Sequence, residues 1–249
     1  VAVLLAATAV SMDFWNVRVE DVLVGQESSS YRVNGEIPVI PLESFSDEVA
    51  SAMEDVSQKM EEQDLYLNSS PGYWLRTFDR WADCEEFIGF PLNNPLEKSS
   101  LLETANYFAI AQDAETLNEE SQRHCAVALQ GNIKGELQHV TIDTGYLMGP
   151  IRIQMTVSLY PEGSGMEPGT GGSWNGEAEF EITSGVTGEG IPYTLVVSET
   201  PESDYYNDFS SADAYFVLKN GLYTLDAVSP GRDSGADAKA ALEELLALF

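Results

Sequence analysis

Two cysteines, two histidines and a large excess of carboxylates are the side chains in this sequence whose chemistry stands out. A hydrolytic site needs a nucleophile with a base, a metal cluster or a phosphate cradle. Neither His124 nor His139 lies in an H-E-x-x-H or H-x-E arrangement, and no G-x-S-x-G elbow occurs. Gly163-Ser164-Gly165 and Gly169-Thr170-Gly171-Gly172 lack the lysine and following helix of a phosphate loop and read as turns. The nearest approach to acid–base chemistry is Asp83, Glu85 and Glu86 around Cys84, because joining Cys84 to Cys125 would carry His124 toward them. With carboxylates this abundant, such a pairing has little discriminating power. The expectation is a protein with no catalytic residue and no cofactor.

Cys84 and Cys125 are the whole cysteine complement, and a disulfide is the simplest use of such a pair. Closing a loop of about forty residues would stabilise the fold by roughly 4 kcal/mol on the chain-entropy model. Two buried free thiols are the alternative, and so is a metal corner with His124, although the C-x-x-C spacing of structural zinc sites is absent. Oxygen ligands for calcium stand at Glu202, Asp204, Asn207, Asp208 and Asp213, with Asp204, Asp208 and Asp213 the foremost. Their spacing is not that of an EF-hand, a solvated acidic loop explains them equally, and no metal is assigned. Trp74, Phe78 and Trp81 could form a stacking face for a small apolar ligand, lipid or sugar, or simply fill the core. Met166 and Trp174, in and beside the Gly-rich run 161–172, are candidates for partner contact. Asn68-Ser69-Ser70 matches a glycosylation sequon but is followed by Pro71.

The chain carries 41 acidic against 12 basic residues, a net charge of −29, with the cations scattered singly. Nucleic-acid binding needs clustered Lys and Arg, so that class is excluded, and bare anionic lipid is excluded with it. The sequence opens on a charge-free apolar run that includes Val1, Val3, Leu4 and Leu5, then reaches Phe14 and Trp15. Residues 1–16 read as part of a signal anchor or export segment, with Phe14 and Trp15 at head-group depth. Ala7-Thr8-Ala9 has the form of a signal-peptidase site, and a buried terminal element of a soluble domain is the competing reading.

The elements that would position these residues follow from periodicity. Residues 17–45 look extended, a stalk or edge strand, with Pro38 and Pro41 withholding ladder donors. Val49, Met53, Val56 and Met60 recur at helical spacing and predict a helix over 46–65. Residues 46–131 are expected to be mainly helical, including a helix over 100–111. From 132 the period changes to two, with strands over 133–142, 151–160, 176–182 and 193–198. A hairpin should turn at Asn220-Gly221. Ala238, Ala241, Leu242, Leu245 and Leu246 give the closing helix an apolar face. The expected fold is α+β: one domain over 46–249, an antiparallel sheet of about six strands with helices on one face and a C-terminal helix.

Cys84 in Asp-Cys-Glu-Glu-Phe-Ile-Gly, Cys125 about forty residues later, the late hairpin and the closing Leu/Ala-rich helix resemble the two-cysteine envelope lipoproteins of actinobacteria. No lipobox cysteine is present. The resemblance implies a non-enzymatic role in the cell envelope. The functional expectation is an accessory subunit anchored at the membrane on the extracytoplasmic side, engaging a membrane protein complex or envelope protein. A lipid- or sugar-binding envelope protein is the alternative, and a hydrolase is third.

Overall fold

A computed structural model describes residues 16–23, 27–34, 36–62, 72–107, 122–132, 134–165, 170–175, 180–199, 209–231 and 234–249. The apolar run with Val1, Val3, Leu4, Leu5, Phe14 and Trp15 lies outside the described residues, as do Met166, Asp204 and Asp208. Among the described residues no helix is long and apolar enough to cross a membrane.

Thirteen strands are described, in chain order β1 Asn16–Leu23, β2 Glu27–Asn34, β3 Val39–Ile40, β4 Gly72–Phe78, β5 Glu103–Ala105, β6 Cys125–Gly131, β7 Leu137–Met148, β8 Ile151–Pro161, β9 Thr170–Asn175, β10 Phe180–Val186, β11 Pro192–Glu199, β12 Phe209–Leu218 and β13 Gly221–Pro230. The helices are α1 Asp47–Glu62, α2 Trp81–Ile88 and α3 Gly235–Leu246. Ten strands form one mostly antiparallel sheet in the order β10-β11-β12-β13-β8-β7-β6-β4, with β3 beside β8 and β5 beside β7. Strands β1, β2 and β9 make a separate three-stranded sheet. The α+β class holds, and the main sheet is larger than the six strands expected.

The additional strands explain the difference. Residues 72–78 and 125–131, expected in a helical half, are β4 and β6. Both escape a two-residue period because apolar side chains occupy both faces: Cys125, Ala126, Val127, Ala128 and Leu129 are all buried. Within 100–111, Glu103–Ala105 pairs with β7 as a strand instead of forming a helix. The expected stalk holds a paired hairpin, β1 on β2 from Asn16↔Asn34 to Leu23↔Glu27.

The three described helices contribute to a single core against one face of the sheet. Val49, Met53, Val56 and Met60 of α1 join Trp81, Cys84, Phe87 and Ile88 of α2. Ala238, Ala241, Leu242, Leu245 and Leu246 of α3 are buried as their spacing predicts, and Phe216, Tyr223 and Phe249 form an aromatic cluster near them. The late hairpin pairs Leu218 with Gly221, so its two-residue turn is Lys219-Asn220, one position earlier than expected, with Lys219 at φ 47°. Gly221 serves packing, since a Cβ there would stand 2.9 Å from the Leu159 side chain.

Candidate functional site

The end of the sheet formed by β4, β6 and β7 brings together both thiols, His124 and the arginines Arg76, Arg80 and Arg123. Helix α2 stops at Gly89, whose left-handed φ of 102° turns the chain away and whose N–H donates to the Glu85 carbonyl. Ser46, at the start of α1, joins the two helices: its N–H donates to the Ile88 carbonyl at 3.0 Å and its hydroxyl to the Phe87 carbonyl. Cys84 thereby faces inward from α2 and meets Cys125 at the start of β6.

Both cysteines are free thiols in this structure, fully buried and in hydrogen-bonding contact. The two cysteines expected to pair do meet, here as thiols. The contact drives the two sulfurs in opposite directions. The hydrogen bond between the sulfurs raises Cys84, with burial adding to it, and lowers Cys125, which His124 stabilises further as thiolate against the opposing cost of burial.

His124 is 9% exposed, and each ring nitrogen faces an acceptor: Nδ1 donates to the Ala105 carbonyl at 2.8 Å and Nε2 to Glu97 Oε1 at 2.8 Å. Two acceptors require two protons, so the ring is an imidazolium. Burial opposes that charge, but hydrogen bonds to Cys125, Glu97 and Ala105 prevail and lift its pKa to about 10. Glu97 is held below the ordinary carboxylate range chiefly by His124, with burial opposing and the Tyr146 hydroxyl assisting at 2.7 Å. Asn94 Nδ2 donates to the Tyr146 oxygen at 2.9 Å, and Thr144 Oγ1 lies 3.1 Å from His124 Nε2 and 3.5 Å from Cys125 Sγ. Gly145 makes the arrangement fit, because a Cβ there would lie 1.8 Å from the Asn106 carbonyl oxygen.

The carboxylate expected beside His124 is therefore a different one. Asp83 is bound to Arg80, with Arg80 Nε donating at 3.0 Å, and Glu85 accepts the Leu92 N–H at 2.7 Å. Glu86 lies in the cleft outside. A cysteine, imidazolium and carboxylate in series resemble a nucleophile with its base and orienting acid. In this protein Cys125 is 0% exposed, and the hydrogen bonds of the series link β5, β6 and β7.

Immediately outside, a cleft of about 820 Å³ is lined by Leu75, Arg76, Thr77, Phe78 and Asp79, by Asp83, Glu86 and Phe87 of α2, by Glu48 of α1 and by Arg123. Phe78 and Trp74 both pack on Phe87, Trp74 stacked at 5.1 Å and 9° and Phe78 tilted at 5.7 Å. The Arg76 guanidinium lies 5.3 Å from the Phe78 ring centre and 5.8 Å from that of Phe87. Trp81 is not part of this face. It is buried in the core, where its indole N–H finds no partner among the described residues. Arg123 is bound to Asp79 and Arg80 to Asp83, whereas Arg76 is exposed and makes no ion pair among the described residues.

Further along the sheet, a second group of carboxylates is half-buried. Asp226 on β13 stands directly across from Asp213 on β12 and from Gln154 on β8. Burial, then the charge of Asp213, raises the Asp226 pKa well above the carboxylate range. Asp143 is raised by burial against hydrogen bonds from Thr156 and Gln154. Asp213 is the one foremost calcium candidate in the described chain, and no group of three or more His, Cys, Asp or Glu among the described residues is arranged to hold a metal. Trp174 lies on β9 opposite Ser29. No family model, no curated protein and no solved structure matches the chain.

Proposed function

We propose that this chain is a non-catalytic interaction subunit of the extracytoplasmic side of the membrane, docking on a membrane or envelope protein through the cleft beside β4. The observation that carries the reading is Arg76. In a chain with few cations, it is spent on no carboxylate among the described residues and is laid over an aromatic floor at the mouth of a cleft. Arginine on aromatic rings is the composition of contact hot spots. The burial of Cys125 supports contact over catalysis, since the best-activated nucleophile of the network cannot reach a substrate. The apolar run 1–10 supports membrane attachment. A small-ligand reading is weaker, because Trp81 is core and Trp74 is stacked on Phe87.

The test is purification from native membranes in mild detergent, comparing the natural chain with Arg76→Ala and with Lys239→Ala at the far end of the sheet. The expected result is a defined partner that Arg76→Ala loses and Lys239→Ala keeps. A chain that elutes alone in all three preparations contradicts the proposal.

A further inference from the structure

Resting on the reading of the β4 cleft as the contact surface, we infer that its occupant is an extended, cation-bearing segment of the partner protein, added as a further strand to the outer edge of β4. Strand β4 is last in the sheet order, paired to β6 from Gly72↔Gly131 to Phe78↔Cys125, and no described strand pairs its other edge. In an antiparallel ladder alternate residues turn both N–H and C=O away from the partner strand, so an edge presents a row of donors and acceptors.

The cleft follows that edge. Side chains on a strand alternate between faces, so a pocket on one face is lined by every second residue. This cleft is lined by Leu75 through Asp79 without a gap, as a groove running alongside the backbone would be. Strand addition draws affinity from main-chain hydrogen bonds and specificity from side-chain contacts at alternate positions. Tyr73 and Leu75, 65% and 43% exposed on one face of β4, supply apolar contacts. Charge selects the partner. Arg123 and Arg80 satisfy Asp79 and Asp83, leaving Glu48 and Glu86 on the groove wall without an ion pair among the described residues. The net charge of −29 favours approach of a basic segment. The Arg76 donors remain available to carbonyl oxygens of the incoming strand.

The experiment measures binding of a fluorescent capped peptide of about nine residues, alternating valine and lysine, to the full chain by anisotropy at low and high salt. Three further peptides are compared: one with every second backbone amide N-methylated, one with the other set methylated, and one with glutamate for lysine. The expected result is binding that weakens with salt, falls at least about tenfold for one methylation register only, and is lost with glutamate. The double variant Glu48→Gln/Glu86→Gln should weaken it about fivefold. Equal binding of both methylated registers overturns strand addition while leaving the groove as the contact surface. Binding indifferent to Arg76→Ala and Leu75→Ser, in variants with native circular dichroism, places the peptide elsewhere and overturns both readings. Absence of binding by the parent peptide overturns the inferred occupant, and the native-membrane purification then judges the groove by itself.

Discussion

The two edges of the ten-stranded sheet are finished differently. At β10 the edge is drawn into its surroundings: Lys239 of α3 donates to Glu181, and the loop after the strand is fastened to the chain end by Gly188 N–H to the Leu246 carbonyl and Glu189 N–H to that of Phe249. Ile182 and Val186 are exposed there. At β4 the edge faces a cleft with an aromatic floor, an arginine and carboxylates, and the elements framing it are secured from inside by the His124–Glu97 network. The difference teaches that rigidity and availability are separated at the β4 end. The buried side is over-determined, and the outer edge of β4 is paired by no described strand.

The comparison is broken most severely by Gly145→Ala. Displacing the Asn106 carbonyl should cost about 3 kcal/mol and free β5 from β7. Hydrogen exchange should rise in β5, β6 and β7 while α3 and β11 keep their protection. Glu97→Ala comes next. It leaves a buried imidazolium short of its anion, and with the Glu97 side chain 28% exposed the loss should be about 2–3 kcal/mol at neutral pH by chemical denaturation. Its pH dependence has a fixed sign. A His124 pKa raised to about 10 contributes stability that is complete below the ordinary histidine value and lost as pH rises through about 10, so the deficit of the variant should shrink above pH 10.

Asp226→Asn should work in the opposite direction. A carboxyl whose folded pKa is raised favours the fold below the ordinary carboxylate value and costs stability as pH rises beyond it. The variant should therefore be more stable at pH 7 by about 1–2 kcal/mol, a gain that vanishes near pH 3. A thermal unfolding series against pH reads both signs. Smallest is Lys239→Ala at the β10 end, an ion pair with an exposed carboxylate that should change stability by less than about 1 kcal/mol.

Helices α1 and α3 were legible because each packs one face, and Val49 to Met60 and Ala238 to Leu246 keep helical spacing. The late hairpin was legible from Asn220-Gly221 between two strand-like runs, although both faces of its strands are buried, and only its turn moved, to Lys219-Asn220. Strands β4 and β6 were not, since apolar side chains on both faces erase alternation. At the site, the pairing of Cys84 with Cys125 in space follows from their being the only two cysteines. Glu97 could not be picked from the many acids, because pairing of β5 and β6 with β7 is what brings it to His124. Arg76 carried no sequence signal beyond being a cation near aromatics, since Phe87 reaches it only through the packing of α2 on β4.

The most direct test of the central claim places a photoreactive amino acid at Leu75 on β4 and, separately, at Ile182 on β10, in the chain expressed in its native membrane. The account predicts one dominant crosslinked partner from position 75, mapped to an extended basic segment, and none from position 182. Equal crosslinking from both edges, or a partner captured from β10 alone, would contradict it.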